Sequence, residues 1–281
     1  MSRDPLDLTA LRRDLLAPAG PLARLDVVEE SGSTNVDLVD AVRRAPREWP
    51  APAALVAEHQ TAGRGRAGRA WETPARAALT VSTLLRPRVP AAALGWVPLV
   101  AGLAVARALD ASGVEARLKW PNDVLLPAAE AVPGFGAFRK VAGLLAEVVP
   151  GQHVPPAVVV GVGLNVAQAA DELPVPTATS LALAGVDADR GALLAAVVRE
   201  LVAAVGRLAA AGGDAGAAGL AAEYAARSAT LGTRVRVELA GGATVVEGQA
   251  VRVADDGSLV VAAPDGERVV TAGDVHHLRT A

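Results

Sequence analysis

The stretch Glu58-His-Gln-Thr-Ala-Gly-Arg-Gly-Arg-Ala-Gly-Arg-Ala-Trp71 lies between two short apolar runs, Ala53 to Ala57 and Ala77 to Leu85, and its reading decides the fold. Flanked in this way, it reads as a loop joining two strands. Gly63, Gly65 and Gly68 allow backbone angles and close approaches that other residues resist. Between them sit Arg64, Arg66 and Arg69, permanently charged forks suited to phosphate or carboxylate oxygens. A loop this cationic repels itself unless an anion condenses it, so the pattern predicts a loop that wraps an anionic ligand. The spacing also satisfies G-x-G-x-x-G. That fingerprint marks a dinucleotide-binding fold only when the loop leads from a strand into a helix, with an acid about 20 residues on. Here the loop runs into Trp71-Glu72-Thr73-Pro74 and a β-rich run, and the later region holds Arg86 and Arg88. The Rossmann reading fails on context. A solvated basic turn fits the loop equally well when it is taken alone, and the rest of the chain has to decide.

The chain has 281 residues, 52% of them apolar, enough for one large domain and a small one. Aromatic residues are scarce, and the four tryptophans outnumber the two phenylalanines, so each tryptophan reads as a packing or stacking element. Cysteine is absent, which excludes disulfides, thiol catalysis and thiolate metal sites. A net charge of −3 gives no general attraction to nucleic acid or to a membrane surface. No apolar run stands out as a bilayer span, and Met1 to Leu16 mixes charged and apolar residues unlike a secretory signal. The expectation is a cytoplasmic protein.

Working outward, Leu8 to Leu16 predicts a short helix and Leu25 to Glu29 a first strand. Ser33-Thr34-Asn35 then precedes a helical run to Arg44. These residue types cap helices, and the same helix start can offer hydrogen bonds to a polar ligand. Pro90 to Ser112 predicts a long helix with Trp96 in the core. In Arg117-Leu-Lys-Trp-Pro-Asn-Asp-Val-Leu-Leu126, Pro121 ends a strand and Asn122-Asp123 make a turn, gathering Lys119, Asn122 and Asp123 at a strand end. Pro127 to Arg139 reads as a loop, after which Lys140 opens the strand Lys140-Val-Ala-Gly-Leu-Leu-Ala-Glu147. Ala157 to Val166 is a buried strand by composition, interrupted by Gly161, Gly163 and Asn165. A helix follows from Asp189 to Ala211, then a Gly/Ala-rich segment and a short helix ending near Ser228. From Leu231 the pattern becomes short β-runs, Arg234 to Leu239, Thr244 to Val253, Ser258 to Ala263 and Glu267 to Thr271, with turns at Gly241-Gly242, Asp255-Asp256-Gly257 and Asp265-Gly266. This divides the chain into a domain of residues 1–228 and a small barrel of residues 229–281. His276-His277 lacks nearby carboxylate or cysteine partners in sequence, so no metal site is expected there.

Five of these segments, Ser33-Thr34-Asn35, Gln60-Thr-Ala-Gly-Arg-Gly-Arg66, Lys119-Trp-Pro-Asn-Asp123, Lys140 to Glu147 and Gly161-Val-Gly-Leu-Asn165, follow one another in an order and spacing that resembles biotin–protein ligases. The resemblance implies an α/β (α+β) fold: a mixed-sheet biotin/lipoate ligase-like catalytic domain with helices on one face, and a C-terminal SH3-like β-barrel. It also implies the reaction. Biotin and ATP give biotinyl-5′-AMP and pyrophosphate, and the biotinyl group passes to a lysine of a biotin carboxyl carrier domain.

Carried over position by position, the resemblance assigns Ser33, Thr34, Asn35 and Gln60 to the ureido head of biotin. Gly63 and Gly65 offer backbone amides, and Arg64 and Arg66 close over biotin and the acyl phosphate. Lys140 contacts the adenylate near its reacting carbonyl. Lys119, assisted by Arg69, neutralises ATP phosphate. Trp71, Asn122 and Asn165 line the nucleotide side, and Asp123 orients the acceptor amine. Mg²⁺ rides on the ATP phosphates, with no metal cage supplied by the protein.

Only about 25 residues precede the first strand, too few for the DNA-binding domain that some relatives carry, so no operator binding is expected. The segment Leu173 to Ala178, expected over the adenine, has no tryptophan, leaving Leu173 or Val175 to cover the base. A lipoate–protein ligase or octanoyltransferase is the nearest rival, and a non-catalytic biotin-sensing repressor a more distant one. The Ser-Thr-Asn cluster with Gln60 favours biotin over an apolar acyl chain. Oligomeric state stays open, and a homodimer is compatible with the sequence.

Overall fold

The computed structural model describes residues 3–132, 135–149, 155–239 and 244–278. After α1 (Leu8–Leu15), the chain lays down β1 (Arg24–Ser31), α2 (Thr34–Arg44) and β2 (Ala53–Gln60). The cationic loop folds into a small hairpin, β3 (Gly63–Arg64) and β4 (Ala70–Trp71), around a single 3-10 turn. Next come β5 (Ala78–Leu85), α3 (Trp96–Asp110), β6 (Arg117–Lys119), β7 (Asp123–Val132), β8 (Gly136–Val149) and β9 (Ala157–Asn165). Apart from β3 and β4, these strands form one seven-stranded sheet in the order β1-β2-β5-β9-β8-β7-β6. Only the β1–β2 pair in this sheet is parallel, so the sheet is mixed.

Both faces of the sheet are covered. Val158, Val160 and Val162 join the core under α3 and α4 (Arg190–Ala210), whereas Val159 joins Leu38 and Val42 of α2 with Trp49, Leu55 and Leu84. Alternate residues of one strand thus feed two cores, which is why β9 reads as a continuous apolar run. The expectation of helices on one face is corrected by α2, which takes the other. Asp189 caps α4, accepting from the backbone N–H of Ala192 at 2.6 Å.

Two other expectations change. Pro127 to Arg139 is not a loop: β7 and β8 extend through it, pairing Leu126 with Arg139 and Pro127 with Phe138. Strand β6 ends its pairing with β7 at Leu125, so Pro127 sits where no second ladder bond is required of it. Lys140 therefore stands inside β8 and not at its start. Secondly, Ala91–Asp110 is long and apolar enough to cross a membrane by length and composition, but most of it is buried here as the core helix against the sheet.

Beyond α5 (Leu220–Arg227), strands β10 (Arg234–Leu239), β11 (Val245–Val253), β12 (Leu259–Ala263), β13 (Gly266–Val270) and β14 (Gly273–His277) form an antiparallel sheet ordered β13-β12-β11-β10-β14. The turn read at Gly241-Gly242 lies outside the described residues. Strand β14, which carries His276 and His277, went unread because only Val275 marks it as apolar. The small sheet docks on the large one through the turn after β11. Trp96 Nε1 donates to the Ala254 carbonyl at 3.1 Å, and Trp120 Nε1 to that of Gly257 at 3.0 Å. A Cβ on Gly95 would lie 2.0 Å from the Asp256 carbonyl oxygen, so glycine is what lets the backbones meet. Val235, Val261 and Val275 belong to the same apolar core as Trp96 and Leu118.

Candidate functional site

The start of α2, the glycines of β8 and β9, and the β3–β4 hairpin enclose a cavity of about 730 Å³, counting its open mouth. At its closed end the side chains are neutral and buried. Ser33 occupies the N-cap position of α2 without a side-chain cap bond. Gln60, from the end of β2, does that work instead: its Oε1 accepts from the Thr34 N–H at 2.8 Å and from Thr34 Oγ1 at 2.9 Å. Ser82 Oγ lies 2.7 Å from Thr34 Oγ1 and 2.6 Å from Asn35 Oδ1. The Asn35 amide donates to the Leu145 carbonyl at 3.1 Å and to Glu147 Oε2 at 2.8 Å. Thr34 and Asn35 are therefore occupied within the protein. Ser33 Oγ and Gln60 Nε2 have no partner among the described residues and line the cavity.

The mouth is charged. Gly63 faces Trp71 across the hairpin, and a Cβ there would come 2.4 Å from the Trp71 carbonyl oxygen. The turn is held by Gly65 N–H to the Arg69 carbonyl at 2.7 Å. Ala67 within it adopts a left-handed conformation with φ of 54°, which costs an alanine about 1–2 kcal/mol. Arg64 has no charged partner among the described residues. Arg66 reaches Asn122 Oδ1 at 3.3 Å; burial pulls its pKa below the ordinary arginine value, while Asp274 and Asp123 oppose that shift. Arg69 pairs with Asp274 from the small sheet. The Trp71 ring lies on Gly163, where a Cβ would come within 2.4 Å of it, and its Nε1 is a buried donor with no partner among the described residues.

Lys140 projects from β8 to Asp123 Oδ1 at 2.7 Å, with its Nζ 5.8 Å from the Trp71 ring centroid. Its backbone brackets the following loop: Lys140 N–H donates to the Thr177 carbonyl at 2.8 Å, and Thr179 N–H to the Lys140 carbonyl at 2.9 Å. Lys119 is only 7% exposed, its Nζ 4.0 Å from the Phe135 ring centroid. Burial lowers its pKa, and the Asp123 charge partly offsets this.

Of the residues singled out in the sequence, Ser33, Thr34, Asn35, Gln60, Arg64 and Gly65 converge on this cavity. So do Arg66, Arg69, Trp71, Asn122, Asp123 and Lys140. Gly63, Lys119 and Asn165 lie beside it and do not line it. The Asn165 amide is spent on the Thr179 carbonyl and on Gln168, each at 2.9 Å. Sequence reading missed Ser82 and Asp274. Ser82 left a weak signal, a hydroxyl shared with Thr80 and Thr83 in a buried strand, whereas Asp274 left none. Among the described residues no cluster of three or more His, Cys, Asp or Glu side chains could hold a metal.

Free neutral donors at a closed end and clustered cations at an open one suit an elongated ligand with a polar neutral head and an anionic tail. Comparison with known proteins agrees with that geometry. Residues 33–165 match the model of the "Biotin/lipoate A/B protein ligase family", and residues 230–278 match that of the "Biotin protein ligase C terminal domain". A biotin–[acetyl-CoA-carboxylase] ligase of Mycobacterium tuberculosis is 44% identical over 99% of this chain and 97% of its own length. The bifunctional ligase/repressor BirA of Escherichia coli is 37% identical over 66% of this chain, the match spanning 54% of that protein. The solved biotin protein ligase of Aquifex aeolicus, in complex with biotin and ATP, superposes with a TM-score of 0.70 at 27% identity, covering 92% of this chain and 99% of that one. The seven-stranded mixed sheet, the antiparallel five-stranded sheet behind it and these matches together make the chain a member of the biotin/lipoate A/B protein ligase family.

Proposed function

We propose that this chain is an ATP-dependent biotin–protein ligase whose residues 1–228 form the catalytic unit and whose residues 229–281 form an SH3-like barrel that closes one side of the site. The observation that carries the reading is the division of one cavity into a neutral, hydrogen-bonding end and a cationic mouth. Biotin has that polarity, a ureido ring at one end and a carboxylate at the other.

In this reading Ser33 and Gln60 bond the ureido head, and Thr34, Asn35 and Ser82 hold them in place. Gly63 and Gly65 let the hairpin turn tightly, Gly65 N–H being used by the Arg69 carbonyl, and Arg64 and Arg66 fold over the carboxylate. A biotin carboxylate oxygen attacks the α-phosphorus of ATP, and pyrophosphate leaves with the electrons of the broken P–O bond. Two anions must meet for this, and cations placed before the event offset their repulsion as charge shifts in the transition state. Lys140 lies nearest the reacting carbonyl and phosphate. Arg69 meets the phosphates directly, while Lys119 acts through its charge from beneath Phe135. Trp71, Asn122 and Asn165 border the nucleotide, Asn165 by holding Thr179. Mg²⁺ arrives as counterion of the ATP phosphates, since Asp123 and Asp274, the two carboxylates on the cavity wall, are each paired with a cation.

In the second step a lysine amine of a biotin carboxyl carrier domain attacks the carbonyl and AMP leaves. Asp123 orients that amine and can take its proton. ATP and a carrier domain as substrates place the reaction in the cytoplasm. Incubation with biotin, ATP, Mg²⁺ and a carrier domain is expected to add one biotinyl group to one carrier lysine, read by mass. Labelling by lipoate and not by biotin would overturn the proposal.

A further inference from the structure

The arm ahead of α1 is fixed by a buried ion pair that the reaction does not use. Glu58 of β2 and Arg190 at the start of α4 are 5% and 7% exposed and meet at 2.8 Å. Both also bond the arm: Leu6 N–H donates to Glu58 Oε1 at 2.6 Å, and Arg190 donates to the Asp4 carbonyl at 2.7 Å. Removing either partner would strand a charge, so the arm is anchored by interactions that are costly to break. From this anchor Arg3 reaches outward. Its guanidinium donates to both carboxylate oxygens of Glu172 and to the Ala167 carbonyl at 3.0 Å. Glu172 in turn accepts from Ala169 N–H at 2.8 Å, closing its own 3-10 turn. The forked contact holds the Glu172 carboxyl down to about 2.

The segment that Arg3 grips runs directly to Lys140. Its ends are tied by Asn165 to the Thr179 carbonyl at 2.9 Å and by Ser180 Oγ to the Gln168 carbonyl at 2.7 Å. Its far shoulder, Thr177 to Thr179, pairs with the Lys140 backbone. The near shoulder, Ala167 to Glu172, has Arg3 as its only ionic partner among the described residues. Between the shoulders Val175 stands 48% exposed.

We infer that Arg3 is a positioning residue: through the Glu172 fork, the amino-terminal arm braces the segment 167–178 against Lys140 and thereby sets how firmly the nucleotide half of the site is closed. The consequence for nucleotide binding rests on the ligase reading above; the brace itself does not. A forked pair with both partners about one-third exposed is a modest anchor. Its loss should be felt as looser closure without loss of fold.

The test compares Arg3→Ala, Arg3→Lys and Glu172→Gln in the full chain. Hydrogen exchange on the ligand-free protein is expected to speed up at residues 168–178 in Arg3→Ala and to stay unchanged at residues 33–44, whatever the protein's activity. In steady-state adenylate formation, the KM for ATP is expected to rise about fivefold in Arg3→Ala, with kcat and biotin affinity unchanged and with partial recovery in Arg3→Lys. Glu172→Gln keeps the acceptor for Ala169 N–H, so it should reproduce Arg3→Ala if the fork is what matters. Unchanged exchange at 168–178 would overturn the brace, and equal losses for biotin and ATP would overturn its link to the nucleotide.

Discussion

The two ends of the cavity are built on opposite plans. At the closed end, Thr34, Asn35, Gln60 and Ser82 satisfy one another inside a ring that also takes in Leu145 and Glu147. At the mouth, among the described residues, Arg64 has no charged partner and Arg66 has one long hydrogen bond, and Arg69 and Lys140 hold carboxylates that a ligand's own anions can displace. A network this densely hydrogen-bonded is stiff, because the groups that pair within it have something to lose by moving, while Ser33 Oγ and Gln60 Nε2 stay available to a ligand. The exposed pair of Arg69 with Asp274 is readily redirected, whereas the part-buried pair of Lys140 with Asp123 is held more firmly. The closed end is thus suited to recognise a fixed shape, and the mouth to follow charge as it moves during a reaction.

Mutations at the two ends should separate binding from chemistry. The largest effect is expected from Lys140→Ala, which removes the cation closest to the reacting centre. Adenylate formation should fall by about 10²–10³-fold, the usual cost of one electrostatic stabiliser. Biotin affinity should change by less than about threefold, because uniform ground-state binding is supplied by the other end. Single-turnover kinetics and calorimetry would read the two quantities, and equal losses in both would erase the distinction between the ends.

Gly161→Ala probes the closed end. The added methyl would fall 2.3 Å from Asn35 Oδ1, and the ring of hydrogen bonds through Ser82, Leu145 and Glu147 would have to open. An unsatisfied buried amide costs about 1–3 kcal/mol, so biotin affinity should drop by about 5- to 150-fold. Once biotin is saturating, the rate of adenylate formation should be largely restored. A lowered kcat with unchanged biotin affinity would show that the stiff end also takes part in the chemistry.

The sequence disclosed these regions unequally, and the reason is physical. The Gly/Arg loop and Ser33-Thr34-Asn35 use residue types whose local behaviour is distinctive, so short stretches carried their meaning. The strands around them followed from alternation and apolar runs, apart from β7 and β8, where Pro127 and the glycines mimic a loop. What could not be read was convergence. Lys119 and Lys140 both read as cations that meet the ligand, yet one lies beneath Phe135 and the other faces the cavity. Asn165 looked like a ligand contact, but its amide is used up by Thr179 and Gln168. Asp274 lies 205 residues from its partner Arg69, and only the docking of the small sheet brings them together.

That distant pair offers the smallest and most discriminating prediction. Arg69 and Asp274 are both well exposed, so their attraction contributes little to stability, on the order of a few tenths of a kcal/mol. Its role at the mouth is to keep one arm of the hairpin turned toward the small sheet. Asp274→Asn keeps the shape but removes the charge that Arg69 and Arg66 both feel. The freed arginines would meet ATP phosphates without first giving up a partner, so the KM for ATP should fall by about twofold to threefold. The gain should shrink as salt is raised, because exposed charges are screened over roughly 8 Å at physiological ionic strength. Biotin affinity should not move, since Asp274 bonds nothing at the closed end. If Asp274→Asn instead raises the KM for ATP at every salt concentration, Asp274 is holding Arg69 in its working position, and the mouth is more preorganised than its loose pairing suggests.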